Sequence, residues 1–274
     1  MKNEADYILE WVAWNIMVGF DKVVIYTNHN DDNSLEILSK LQEKGYIDFF
    51  ELDPPETAKP QMYAFKKSLE WLHTNKPNWV ACFDADEYLV LKEDRNIEEY
   101  LSRFDNDIDA IAFNWKIYGS GGIVNKGTGL TIERFLMRAK DNYPIHSQFK
   151  SLFRYKPSIQ RFHHRVFYKN TDFKYVYSDG KEFSESAKKP GFRAEDSYIN
   201  YDLAQLNHYT TRSVKEFLHK MDRGNGFDLT HVSNKRHKKY LDLFDKNDIY
   251  ESDILGKLDD YLSVYYRIKK ECEL

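Results

Sequence analysis

Trp79-Val80-Ala81-Cys82-Phe83-Asp84-Ala85-Asp86-Glu87 is an apolar run that ends in three carboxylates. Its aromatic and β-branched residues predict a short buried strand over Trp79 to Phe83. Acidic residues beyond the carboxyl end of such a strand lie where open α/β sheets bind ligands. In an extended segment alternate side chains face the same way, so Asp84 and Asp86 are expected to address one bound cation. Oxygen ligands suit a hard divalent ion, Mg²⁺ or Mn²⁺, which would bridge the pair to a diphosphate. The competing reading is an acidic turn that caps a helix through Asp86 or Glu87.

Upstream, helix and strand signals alternate. Asp6 to Gly19 carries Ile8, Leu9, Trp11, Val12, Ile16 and Met17 near helical spacing, with Gly19 as a stop. Lys22 to Tyr26 is a short strand, closed by the polar loop Thr27 to Asn33. Ser34 to Glu43 is a second helix with Leu35, Leu38 and Leu41 on one face. Ile47 to Leu52 is the next strand, broken by Pro54-Pro55, and Gln61 to Thr74 is helical. Strands alternating with helices of this length predict crossover units and a doubly wound, mostly parallel sheet.

Downstream the texture changes. Ala110 to Trp115 is strand-like, and a glycine-rich loop follows at Gly119-Ser120-Gly121-Gly122. Such a loop lets backbone approach a ligand closely, or makes a tight connection. Helical signals return at Thr131 to Ala139, and aromatic-rich strands are expected near Phe149 to Phe153 and Phe162 to Tyr168. The last helices are expected at Val214 to Arg223, Lys235 to Lys246 and Ile254 to Cys272. This helical tail is either a cap on the same domain or a docking element.

Composition narrows the function classes. The chain has 274 residues, with 40 Lys and Arg against 44 Asp and Glu, a net charge of -4, which argues against a nucleic-acid binder. No apolar run approaches the ~18 residues that a membrane span needs. Lys2-Asn3-Glu4-Ala5-Asp6 does not resemble the start of a signal peptide, so a cytoplasmic location is expected, with peripheral contact at the inner membrane face. Cys82 and Cys272, the two cysteines, are too far apart in sequence to suggest a disulfide framework or a zinc spacing. The 20 Tyr, 18 Phe and 5 Trp supply either an aromatic core or stacking platforms for carbohydrate.

Two other groups could carry chemistry. His208, within Leu206-Asn207-His208-Tyr209, could complete a metal site or contact a phosphate, although a lone histidine is more often a satisfied structural residue. His163-His164-Arg165 with Arg161 offers cationic groups to an anionic ligand, or forms an exposed polar strand.

These pieces together resemble the bacterial glycosyltransferases of the family 2-like group, and more narrowly the branch related to glycosyltransferase family 92. The resemblance lies in Lys2-Asn3-Glu4, Tyr7 to Trp11, Gly19 to Asn28 and the D-x-D-E-[FY] segment Asp84 to Tyr88. It continues through Trp115 to Gly122, Glu133-Arg134-Phe135, Lys150-Ser151, His163-His164, Asn207-His208-Tyr209, Ser213 and Arg223-Gly224. It implies a GT-A fold over residues 1–212, with a nucleotide-binding half (1–118), an acceptor half (119–212) and a helical extension (213–274).

The resemblance also implies roles. Asp84, Asp86 and His208 match the metal and diphosphate ligands. Asn3, Glu4, Tyr26 and Asn28 match the ends of the first strand positions, where base and ribose are read, and His163 and His164 the donor side. The implied enzyme is a hexosyltransferase-class glycosyltransferase that uses Mn²⁺ or Mg²⁺ and a nucleoside-diphosphate sugar, UDP-linked by expectation. The acceptor would be a glycan or glycolipid in surface polysaccharide synthesis. Inversion at the anomeric carbon requires a carboxylate base, for which Glu133 is the candidate, with a pairing to Arg134 or a helix cap as its other reading. The alternatives are a degenerate module that binds glycan or a partner, a sugar-nucleotide hydrolase, and a nucleotidyltransferase, although the basic glycine-rich loop of the last is missing.

Two departures bear on the expectation. Met1 directly precedes Lys2 where related sequences carry a hydrophobic strand, which implies a truncated chain, a misassigned start or a sheet without its first nucleotide-reading strand. Thr27 stands before Asn28 where an Asp-Asn pair is commoner.

Overall fold

The computed structural model describes residues 1–170, 172–183, 198–222 and 234–274. The first half follows the predicted alternation: α1 (Ala5–Val18), β1 (Val23–Thr27), α2 (Ser34–Glu43), β2 (Ile47–Glu51), α3 (Pro60–Asn75) and β3 (Trp79–Ala81). Gly19 ends α1 in the left-handed region at φ 100°, where its N–H reaches the carbonyls of Asn15 and Ile16. Pro60 opens α3, at the position where a missing N–H costs nothing.

Then come β4 (Glu87–Leu91), α4 (Ile97–Leu101), β5 (Ile108–Ile117), α5 (Thr131–Arg134), β6 (Met137–Arg138), β7 (Phe149–Arg154), β8 (Ile159–Arg161), β9 (Phe167–Tyr168), β10 (Lys174–Tyr177) and β11 (Ala204–His208). The chain closes with α6 (Val214–Asp222), α7 (Asn234–Phe244), β12 (Ile249–Tyr250) and α8 (Leu258–Glu271). Of the resemblance motifs, Arg223-Gly224 lies outside the described residues.

The main sheet has the order β3-β7-β5-β11-β4, and β10 also pairs with β5. Its centre is β5, buried along all ten residues. Parallel pairing joins β1 to β2, β10 to β5 and β11 to β5, as crossover connections require. β7 and β4 enter antiparallel, so β3, the strand that leads into the acidic turn, pairs antiparallel with β7. β1 has only β2 as a neighbour among the described residues, and β3 is an edge of the main sheet. Residues of both strands line one cleft of about 1040 Å³.

The helix expected over Thr131 to Ala139 stops at Arg134. Met137 and Arg138 pair instead with β12, and the Glu251 N–H donates to the Leu136 carbonyl at 2.8 Å. Long-range pairing thus overrides local helix propensity there. Of the strand expected over Phe162 to Tyr168 only Phe167–Tyr168 is extended. β4, β10 and β11 carry no clear sequence signal, because the main sheet is buried on both faces and alternation is lost.

The tail is a cap on the same core. Ile254, Tyr261 and Ile268 join the cluster that holds Ile8, Trp14 and Tyr88. The Tyr261 hydroxyl donates to the Glu10 carbonyl at 2.9 Å. Glu251 is a hub that accepts from Lys116 (2.7 Å), Arg138 (2.6 Å) and Tyr118 (2.8 Å). The glycine-rich loop serves this docking. The Ser120 N–H donates to Asp245 Oδ1, and that of Gly121 to Asn247 Oδ1, both at 2.6 Å. A Cβ on Gly119 would lie 2.4 Å from the Lys246 carbonyl oxygen. The close backbone approach is to this chain's own tail.

Candidate active site

The acidic segment leaves β3 and turns before it enters β4: the Glu87 N–H donates to the Asp84 carbonyl at 3.0 Å. The segment is thus a turn and not the extended run expected of it. Asp84 Oδ2 accepts from Lys150 Nζ at 2.9 Å, and Lys150 comes from β7. Asp86 has other partners: it stands 3.6 Å from His208 Nε2 and in an ion pair with Lys220 of α6.

Sheet pairing explains how His208, far off in sequence, arrives there. β11 runs antiparallel to β4 with His208 opposite Glu87, and the Tyr209 N–H donates to the Asp86 carbonyl at 2.8 Å. Buried Arg212 completes the clamp by donating to the Ala85 carbonyl at 3.0 Å. The turn is thus held by its backbone from β11 and the residues after it, which leaves its carboxylates for other work.

Glu87 lies behind the turn with no exposed surface. Its two oxygens accept from Trp115 Nε1 and from the Asp84 N–H, each at 2.7 Å, and Lys150 Nζ stands 3.4 Å away. Burial pushes the Glu87 carboxyl up to about 8 against the pull of Lys150. Desolvation acts on Asp84 in the same sense, but Lys150 outweighs it and holds Asp84 at about 2. Burial also favours neutral Asp86, yet Lys220 and His208 keep it well below the usual carboxylate range.

His163 and His164 adjoin the turn, with ring centroids 4.3 Å apart. Desolvation lowers them to about 4 and about 3, with Lys150 adding to the effect, so at neutral pH they act as neutral donors and acceptors. The cationic role expected for them falls to Arg161 and Arg165 alone. His163 Nε2 lies 3.4 Å from Gln61 Nε2, and His164 Nδ1 3.3 Å from the Phe149 carbonyl.

The residues expected to read the nucleotide separate into two groups. Tyr26, near the end of β1, lines the cleft with Asp84 and stacks on Phe50 at 5.3 Å. Asn28 follows in the loop beyond β1. Asn3 and Glu4 precede α1 and lie on no strand. Asn3 exchanges hydrogen bonds with Asn30 and Asp31 across the loop, and Glu4 pairs with Arg212 at 3.5 Å. Glu133 is exposed and accepts from the Leu130 N–H at 2.9 Å, the helix-capping role. Its neighbour Arg134 pairs with Glu216. Among the described residues no hydrogen bond or ion pair joins Glu133 to Asp84, Asp86 or His208.

Among the described residues no three His, Cys, Asp or Glu side chains converge on one point. Asp86 and His208 do converge through Nε2, which also lies 2.8 Å from Thr210 Oγ1; the buried nitrogen without a hydrogen-bond partner is the other one, Nδ1. One carboxylate and one imidazole fit a Mg²⁺ or Mn²⁺ ion that takes most of its ligands from phosphate and water. Sequence reasoning quoted Lys150 only as part of a resemblance motif, without a role, and missed Lys220. A lysine inside the apolar run Phe149 to Phe153 was a usable signal, since a charge in a buried strand requires a partner.

An α/β sheet with an acidic turn beyond one strand, from which Asp84 lines an open cleft, has the layout of a ligand-binding α/β protein. The family model of glycosyltransferase family 92 matches residues 1–247, and the chain belongs to that family of sugar-transferring enzymes. Among solved structures, one that matches is the crystal structure of S. aureus TarS 1-349. It is 11% identical, with a TM-score of 0.37 over 99% of this chain and 81% of that one. No curated protein matches the chain. Among the described residues no helix is long and apolar enough to cross a membrane.

Proposed function

We propose that this glycosyltransferase moves a hexose from a nucleoside-diphosphate sugar, UDP-linked, to a glycan acceptor in surface polysaccharide synthesis. The observation that carries the reading is the convergence of Asp86 and His208 at the acidic turn, next to the cleft that β1 and β3 line. The nucleotide would lie in that cleft beside Tyr26, with its diphosphate directed to the turn. Asp86 and His208 would hold a divalent ion, which supplies charge neutralisation for the departing diphosphate.

The chain's own groups do the positioning. Lys150 fixes Asp84 as an anion, and Glu87, Tyr209 and Arg212 fix the turn that carries both aspartates. Lys220 neutralises Asp86 when no other cation is bound. Transfer is proposed to invert the anomeric carbon: the acceptor hydroxyl loses its proton to a carboxylate as the bond from sugar to diphosphate breaks. Glu133 is the carboxylate proposed for that step.

Thermal shift with UDP, GDP and CDP and their sugar conjugates, each with Mn²⁺ and with EDTA, tests the reading, because a ligand of the native state raises its stability. A metal-dependent shift with one nucleotide that disappears in Asp86→Ala is the expected result. No shift with any nucleotide, or full transfer by Asp86→Ala, would overturn it.

A further inference from the structure

Helix α6 brings a cation to the acidic turn from the solvent side. Lys220 pairs with Oδ2 of Asp86, while His208 Nε2 stands 3.6 Å from Oδ1 of the same carboxylate. The lysine side chain keeps 30% of its surface exposed, the aspartate 7%. Lys150, in contrast, has no exposed surface and is shared between Asp84 and Glu87. Lys150 therefore belongs to the fold, whereas Lys220 can move into water at little cost once another cation takes over Asp86.

The helix that carries Lys220 is anchored at its start. The Ser213 N–H donates to Glu216 at 3.1 Å and the Glu216 N–H donates back to Ser213 Oγ at 3.3 Å. Glu216 also accepts from Arg134 and from the Tyr7 hydroxyl, each at 2.6 Å, and Phe217 is buried. One turn further on, Lys220 thus hangs a flexible four-carbon stem from a held backbone.

We infer that Lys220 is a binding residue with two successive partners: it holds Asp86 in the unliganded chain, yields it to the divalent ion, and then binds the diphosphate of the nucleotide. The inference rests on the donor site proposed above and adds a residue to it. An ammonium on Oδ2 repels a cation held by Oδ1 and His208, since both would share one carboxylate. A diphosphate that shares that cation with Asp86 lies beside the same carboxylate, so rotation of the stem carries the ammonium from one anion to the next. Lys220 loses a partner when the ion binds alone and gains one when the nucleotide follows. It therefore makes the binding of each depend on the other.

Two titrations of the full chain test this: Mn²⁺ alone, followed by the electron spin resonance of the free ion, and UDP in saturating Mn²⁺, followed by calorimetry. Lys220→Gln keeps a donor for Asp86 and removes the charge. It should bind Mn²⁺ at least about fivefold tighter and UDP at least about tenfold weaker. A residue that merely supports the fold would move both affinities in one direction or neither. Lys215→Met, which removes one exposed charge from the same helix, should change neither. In the unaltered chain, acylation of Lys220 by a succinimidyl ester, read by mass spectrometry, should quicken with Mn²⁺ and slow again when UDP is added. Unchanged or weaker Mn²⁺ binding by Lys220→Gln, UDP binding at full strength, or labelling indifferent to Mn²⁺ would overturn the inference and leave the donor site standing. Failure of the unaltered chain to bind UDP at all would refute the donor reading, and the role of Lys220 with it.

Discussion

Lys150→Met removes the ammonium on which the acidic turn depends and keeps most of the volume of a fully buried side chain. Removing one partner of a buried ion pair costs about 3–5 kcal/mol, because the other charge stays desolvated. Here the stranded partners differ. Asp84 keeps 44% of its side chain exposed, so water screens it, and its share resembles a surface pair at up to about 1 kcal/mol. Glu87 has no exposure and carries the larger penalty, blunted by its bonds from Trp115 and the Asp84 N–H. The expected loss is about 3 kcal/mol, at the lower end of the buried-pair range. At about 2–4 °C per kcal/mol for a chain near this size, Tm should fall by about 6–12 °C. Urea unfolding at pH 9, above the raised value of Glu87 where its carboxylate is charged, measures it, and Glu87→Gln supplies the control. A neutral amide needs no ammonium, so the double variant should recover at least about 1 kcal/mol relative to the sum of the single losses. A loss below about 1 kcal/mol for Lys150→Met, or strict additivity, would refute the account of Lys150 as the charge partner of this turn.

Glu87, raised to about 8 from an ordinary value near 4.5, holds its proton longer when folded than when unfolded. Stability should therefore decline as pH rises from 4.5 to 8 and level off above, and Glu87→Gln should flatten the segment from 6.5 to 8 in pH-dependent urea melts. His163 and His164, lowered by burial to about 4 and about 3, act in the opposite sense: stability falls as pH drops below 6.5, so a steep acid limb should shrink in His163→Gln. Gly119→Ala would press a Cβ to within 2.4 Å of the Lys246 carbonyl oxygen, and should cost about 1–3 kcal/mol while exposing residues 245–247 to proteolysis; an unchanged Tm would contradict the docking described for the tail. Glu133→Gln separates base from cap: a base loses turnover with nucleotide binding intact, whereas a cap alone loses about 1 kcal/mol or less of stability and keeps turnover.

Most of the first half was legible because its signals are local. Helix α2 matches its predicted span, Ser34 to Glu43, and α1 and β2 fall within a residue of theirs, since apolar spacing and Gly19 or Gly45 mark them. The candidate metal ligands were legible as residue types, and the sheet does bring Asp86 and His208 together. The turn at Asp84 was not. A D-x-D read as extended was the expectation, but the hydrogen bond from the Glu87 N–H to the Asp84 carbonyl closes a turn there. Nothing within those four residues demands that turn. It is held by Tyr209 and Arg212, more than a hundred positions away, and by Trp115 acting through Glu87.

Long-range pairing also accounts for the polar residues inside the sheet. Gln205 and Asn207 alternate with Leu206 on a strand without exposure, and a sequence that reads polar there predicts a surface. In the folded chain the Gln205 amide donates to Asn207 at 2.7 Å and to Glu251 at 3.3 Å, and Lys116 donates to Gln205 at 3.1 Å. These side chains satisfy one another only once β5, β11 and Glu251, which follows β12, are assembled, which is why no local pattern announces them. The consequence reaches the site. β11 carries His208 to Asp86, and the network on its polar side ties that strand to Glu251 and hence to the tail. The placement of His208 thus depends on residues near the end of the chain, well beyond any motif that contains it.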